Sequence, residues 1–235
     1  LYSHSIILEE ASLELVPKRF WNHEACKVVE ARFGIPPKSQ ILDDNFHHKI
    51  IATIPKNEKR GRPDIVHFAL LDIVSTPAYK MDLIRPIIRT INGEVIVVKK
   101  GVRLPRTELR FYGVMSKILR SEANPYGLQL FEYRDSQTMG ELLHSLNPSK
   151  VSCLSTEGIR RDLNDVVSNL TRKLPEKSCV WVVGGFAHGH FSDEVKRLAD
   201  DLISISSYSL PAHVVTARLS YEIERSQKIS NEGLP

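Results

Sequence analysis

The chain is short of cysteine, of long apolar runs and of any strong excess of one charge, and each shortage narrows what it can be. Only Cys26, Cys153 and Cys179 occur in 235 residues. They are odd in number and far apart, and none forms a CxxC pair, so neither a disulfide framework nor a structural zinc site is expected. Thiols used so sparingly fit a reducing, intracellular compartment. The longest apolar stretch, Val180 to Ala187, falls far below the ~20 residues of a membrane span. No charged-then-apolar secretory signal opens the chain, so no membrane partner is expected and a cytoplasmic location is. Lys and Arg number 32 against 28 Asp and Glu, a net charge of only +4. That permits an acidic partner without demanding one. There is no internal repeat and no low-complexity tract. With 42% hydrophobic and 26% charged residues, the composition is that of an ordinary folded domain.

What is present is a sequence of alternating elements. His4 to Leu8 reads as a short buried strand. Asn22 precedes a helix over EACKVVEARF that ends at Gly34, and Ile41–Leu42 opens a second short strand. Lys56 to Arg62 is a polar, basic loop. Pro63 then suits the first turn of a buried helix that stops before Pro77. Asn92-Gly93 lies between two β-branched runs and predicts a hairpin. Thr107 to Arg120 reads as an amphipathic helix. From residue 128 strands and helices alternate: LQLFEY, then TMGELLHSL; VSCLS, then GIRRDLNDVVSNLTRKL; CVWVV, then SDEVKRLADDL; LISIS, then a long terminal helix from Pro211, with the last residues, NEGLP, frayed. This order predicts an α/β fold, a parallel sheet with helices on both faces, elaborated in the N-terminal half by the hairpin and helix. Met81, Met115 and Met139 read as core fillers, Trp21 and Trp181 as packing residues, and His47-His48 as a pair on a helix surface.

Ligands of parallel sheets bind beyond the carboxyl ends of the strands. Three such ends stand out: Leu154 to Gly158, Gly184 to Gly189, and Ile205 to Ala212. Each is rich in glycine, small or hydroxyl residues, which let the backbone approach a ligand. The glycine loop is neither GxGxxG nor a P-loop, which argues against a nucleotide triphosphatase. A metal reading of His188-x-His190 with Asp193 and His213 lacks a third ligand set by spacing, so no metal is expected.

The basic excess is local. Between Lys99 and Arg120 stand seven cations (Lys99, Lys100, Arg103, Arg106, Arg110, Lys117 and Arg120) against one acid, Glu108. Arg106 and Arg110 share a face if the segment is helical, and the arginine fork suits phosphate oxygens and base edges. A solvated helix face would give the same pattern. The adjacent Lys59-Arg60-Gly61-Arg62 shifts the balance toward nucleic acid. Phe111 and Tyr112 read as core residues.

Four motifs together carry a family likeness: Arg62-Pro63-Asp64-Ile65-Val66-His67, then Val102-Arg103-Leu104-Pro105-Arg106-Thr107, then Val183-Gly184-Gly185, then Ile205-Ser206-Ser207-Tyr208-Ser209-Leu210. In this order, over nearly the whole chain, they resemble the ribosome-biogenesis pseudouridine-N1 methyltransferases of archaea and eukaryotes, members of the SPOUT (α/β-knot) class. The resemblance implies one SPOUT domain over residues 1–235, with an RNA-binding elaboration at about 43–110 and a cofactor-binding deep trefoil knot at about 150–230. It implies S-adenosylmethionine as cofactor, held by Leu154, Ser155, Gly184, Gly189, Ile205, Ser206, Ser207, Tyr208, Ser209 and Leu210. It implies RNA contacts by Arg62, Arg103, Arg106 and Arg110, with Arg62 and Asp64 at the reacting centre and Asp64 holding Arg62. The implied partners are a hairpin loop of small-subunit ribosomal RNA, a second copy of the chain, and ribosome assembly factors. The lack of a long polar N-terminal extension looks archaeal, hence cytoplasmic; a eukaryotic relative would be nucleolar. An RNA-binding assembly factor with secondary or no catalysis, and a knot methyltransferase acting on another RNA, are the alternatives.

Overall fold

The computed structural model describes residues 3–121, 130–173 and 178–229. Its centre is β1 (His4–Ala11), where Ile6, Ile7 and Leu8 are all fully buried. At roughly 1.5–3 kcal/mol for each buried aliphatic side chain, such a strand is a strong organiser. It pairs in parallel with β2 (Ile84–Thr90) on one side and with β6 (Cys179–Gly184) on the other. Beyond β6 come β5 (Lys150–Arg160) and the edge strand β7 (Asp201–Ser204), again parallel. Beyond β2 come β3 (Val95–Val98) and β4 (Phe131–Arg134), both antiparallel to their neighbours. The order is β4-β3-β2-β1-β6-β5-β7. The sheet is therefore mixed. The hairpin across Asn92-Gly93 is where it was expected, but the strand from LQLFEY extends that hairpin as an antiparallel edge instead of starting the parallel series; its first two residues lie outside the described residues.

Alternation along the strands builds a core on each face. Ile6 and Leu8, with Trp181 and Val183, face a layer made by α3 (Pro63–Ser75), the short α4 (Pro77–Lys80), α5 (Glu108–Leu119), α7 (Leu163–Lys173) and α9 (Ala212–Ser226). Ile7, Val180 and Val182 face α6 (Met139–Leu146) and α8 (Asp193–Leu198). A small third cluster joins α1 (Glu24–Phe33) to α2 (Asp44–Ile51). Pro63 occupies the first turn of α3, and Thr138 with Glu141 forms a capping box on α6.

Several local expectations are corrected. His23, not Asn22, caps α1, its Nδ1 accepting the Ala25 N–H. Ile41 makes only an isolated bridge to Leu15. Gly158 to Arg160 continue β5 rather than opening α7. His47 is buried: its Nδ1 accepts the Asp43 N–H and its Nε2 meets Gln40 Oε1. Met81, expected in the core, is exposed, whereas Met115 and Met139 are buried. The NEGLP terminus lies outside the described residues.

Candidate active site

The carboxyl ends of β5, β6 and β7 open on one cavity of about 510 Å³, within the range of about 300–1,000 Å³ usual for small-molecule sites. Of the ten residues expected to hold the cofactor, nine line it: Leu154, Ser155, Gly184, Gly189, Ile205, Ser206, Tyr208, Ser209 and Leu210. Ser207 is not among the lining residues. The cavity is also lined from the start of α3, by its N-cap Arg62 and by Asp64, Ile65 and Phe68.

The β5 lip is a bulge. Leu154 and Ile159 both register against Ile203, so residues 155–158 leave the ladder and rejoin it. Bulges of this kind aim side chains at sites. Gly158 sits at the tightest point, where an added Cβ would lie 2.4 Å from the Ile203 backbone nitrogen. Glu157, on the same bulge, pairs with Lys196 at 2.7 Å and with His190 at 3.4 Å. The Lys196 hydrogen bond, with the His190 and Lys196 charges and against a small opposing desolvation, holds its carboxyl below the usual range.

The glycine loop is pinned from below. Lys59 is nearly buried; its ammonium donates to Glu10 Oε2 and to the His190 carbonyl and lies 4.5 Å from the centre of the Phe186 ring. Glu10 has a left-handed backbone (φ 50°) at a break in the β1–β2 register, and its other carboxylate oxygen accepts the Ser192 N–H. Arg60 is likewise held by Glu14, and Arg89 by Glu9. Two of the cations read as nucleic-acid contacts, Lys59 and Arg60, are thus structural. Sequence reading missed this because Glu9, Glu10 and Glu14 lie some 46 to 80 positions from their partners.

Arg62, by contrast, faces the cavity. Its Nε and Nη2 donate to Asp64 Oδ1 and Oδ2, both at 2.8 Å. This fork-on-carboxylate pair fixes the guanidinium plane, and the Asp64 hydrogen bonds hold it still more firmly charged. Its backbone N–H donates to Ser12 Oγ at 2.7 Å. The remaining arginines, Arg103, Arg106 and Arg110, do not line the cavity; they are exposed and make no ion pair among the described residues. Their segment is nevertheless tied to α3. His67 Nε2 meets the Pro105 carbonyl at 2.7 Å, and the His67 ring stacks on Phe111 at 4.3 Å. Since a carbonyl only accepts, Nε2 donates, and the buried Nδ1 has no hydrogen-bond partner among the described residues. His67 is a residue whose role the motif alone did not reveal.

The cysteines take no part. All three are buried and free, and burial pushes the Cys153 thiol up to about 12. His188 and His190 line the cavity with His213; among the described residues no three His, Cys, Asp or Glu side chains gather as metal ligands.

The donor set suits S-adenosylmethionine. Leu154, Val183, Ile205 and Leu210 supply an apolar slot, Ser155, Ser206 and Ser209 supply hydroxyls, and Gly189 (φ 91°) turns the loop at the cavity's edge.

Comparison with known proteins gives a consistent result. A Nep1 structure from Archaeoglobus fulgidus, bound to S-adenosylhomocysteine, superposes with a TM-score of 0.80 at 30% identity, covering 97% of this chain and 99% of that one. The ribosomal RNA small subunit methyltransferase Nep1 of Staphylothermus marinus is 32% identical over 216 residues, 92% of each chain. The Nep1 of Thermococcus kodakarensis is 36% identical over 189 residues, 79% of this chain and 83% of its own. The EMG1/NEP1 methyltransferase model matches residues 6–224, and with the cavity, the glycine loop and the Arg62–Asp64 fork in place, the chain belongs to that family.

Proposed function

We propose that this chain is an S-adenosylmethionine-dependent methyltransferase of small-subunit ribosomal RNA, that its acceptor is the N1 nitrogen of a pseudouridine in a hairpin loop, and that it acts in small-subunit biogenesis as a cytoplasmic homodimer with a knotted cofactor half (about 150–230) and an RNA-binding half (about 43–110). The methyl-donor reading is supported by the S-adenosylhomocysteine bound to the A. fulgidus relative; the RNA reading by the names of the relatives. The observation that carries the acceptor reading is the Arg62–Asp64 fork, which lines the same cavity as the cofactor loops.

When bound, S-adenosylmethionine supplies an electrophilic methyl carbon, whose bond to sulfur breaks as its bond to the acceptor nitrogen forms. The protein's task is to position, desolvate and balance charge. Pseudouridine is joined to its sugar through carbon and so keeps an N1–H; uridine uses that nitrogen in its glycosidic bond and has nothing to methylate there. The base must leave the loop stack to enter the cavity. Arg103, Arg106 and Arg110 hold the RNA backbone outside. Arg62 faces the negative charge that develops on the pyrimidine ring. Both Asp64 oxygens are committed to Arg62, so Asp64 is a positioning residue and the N1 proton leaves to water.

Labelled S-adenosylmethionine with two hairpins, one carrying pseudouridine and one uridine at the target, tests this reading. Label in the pseudouridine hairpin alone is expected. Label in neither, with both still bound tightly, would favour an assembly factor; label in both would mean another acceptor atom.

A further inference from the structure

α3 was read as a buried helix, yet Phe68 on it is 42% exposed and lines the cavity. It stands one turn beyond Asp64 on the same helix face. Isolated surface phenylalanines are common and need no explanation. This one is set apart by its neighbours. Phe111 is fully buried; His67 stacks on it at 4.3 Å and 17°. Phe68 continues the series, 5.8 Å from His67 and 19° from parallel. Three near-parallel rings thus run from the core to the cavity, and the last is the exposed one. His213, at the start of α9, meets the Phe68 ring edge to face at 6.1 Å. Phe68 and Arg62 line the same cavity as the cofactor loops.

We propose that Phe68 is the platform on which the acceptor pyrimidine stacks, as the fourth ring of this series, with Arg62 at the edge of the base. Aromatic side chains serve splayed-out RNA bases in this way because every base has a π-face. The proposal rests on the methyltransferase reading above and names the residue that receives its substrate.

The test uses four variants of the full chain: F68A, F68L, F68Y and F68W. Phe68→Ala should lower kcat/KM for the pseudouridine hairpin about 5- to 150-fold, the equivalent of about 1–3 kcal/mol for one stacked base. Phe68→Leu keeps apolar bulk without a π-face and should lose nearly as much; Phe68→Tyr and Phe68→Trp should retain activity. S-adenosylhomocysteine affinity, read by calorimetry, should be unchanged in all four and also reports that each variant folds. In Phe68→Trp the new indole should be quenched by the hairpin with a base at the target position and not by the same hairpin made abasic there. Full activity in Phe68→Leu, equal quenching by both hairpins, or cofactor affinity falling in step with activity would overturn the proposal. The quenching assay needs no turnover. Base-dependent quenching in a protein that methylates neither hairpin would leave the stack standing and defeat the methyltransferase reading alone.

Discussion

Replacing Lys59 with methionine removes one charge from a pair that is almost wholly out of water. Lys59 and Glu10 are 7% and 6% exposed. The substitution keeps most of the side chain's volume and its apolar stem. What it removes is the donor to Glu10, the donor to the His190 carbonyl and the cation against Phe186. Among the described residues Glu10 keeps only the Ser192 N–H at 3.2 Å. Breaking a buried pair by deleting one partner costs about 3–5 kcal/mol, because the other charge is left uncompensated. A domain with roughly 5–15 kcal/mol in total survives that loss with little margin. At about 2–4 °C per kcal/mol for a chain this long, Tm should fall by about 6–20 °C. The same substitution unpins the glycine loop, so S-adenosylhomocysteine should bind more weakly at a temperature where the variant is still folded. The double variant Lys59→Met with Glu10→Gln leaves no buried charge behind and should recover much of the stability while the loop, still without its donor at His190, keeps its weakened affinity. Denaturant titration and calorimetry read the two effects separately. A single variant that loses less than about 1 kcal/mol would place the pair in the class of exposed bridges and refute the reasoning; so would a double variant no more stable than the single.

Three further outcomes are expected. Arg62→Lys should lower kcat about 10- to 100-fold with a smaller change in RNA affinity, since a point charge cannot replace a fork in a charge-assisted hydrogen bond; equal losses in single-turnover rate and in binding would contradict the role given to Arg62. Burial lowers His4 and His47 from the ordinary 6.5 to about 4, so the folded state binds fewer protons than the unfolded one in that interval; stability should be full above pH 6.5 and fall as the pH drops toward 4, by up to about 3 kcal/mol per histidine. Burial raises Glu9 to about 7, which acts in the opposite sense over this interval, so the test compares wild type with His4→Gln and His47→Gln; a stability difference from wild type that does not change between pH 6.5 and 4.5 would show that the histidine removed is not buried neutral. Gly158→Ala places a methyl against backbone that cannot yield; overpacking of this kind costs about 1–3 kcal/mol or more, and the bulge should shift enough to weaken cofactor binding, whereas an alanine variant with wild-type Tm and affinity would mean the bulge is looser than described.

Much of this was legible because local chemistry and global fold agree. Pro63 can only start α3 comfortably, Asn92-Gly93 can turn a hairpin, and the apolar pentads of β5 and β6 have no other home than a covered sheet. The cofactor loops were legible for the same reason: small residues after buried strands mark where a sheet leaves space. What escaped was decided by pairings distant in sequence. Nothing in Lys59-Arg60 says that Glu10 and Glu14 will neutralise them. The edge strand β4 turns antiparallel because its partner is β3 of the hairpin, not a parallel strand. His47 lies four residues after Asp43, whose N–H it accepts, a spacing that could have suggested burial beside the α2 cap. Phe68 follows the apolar rhythm of α3 and is exposed because the helix ends its burial at a cavity, which no periodicity reports.

The central claim is that one ring nitrogen receives the methyl. It is tested most directly by digesting the labelled pseudouridine hairpin to nucleosides and locating the methyl by mass spectrometry against synthetic N1-, N3- and ribose-methylated standards. The account predicts N1-methylpseudouridine alone. Methyl on N3 or on the ribose would contradict it, because the geometry assigned to Arg62 and to the stacked base would then present the wrong atom.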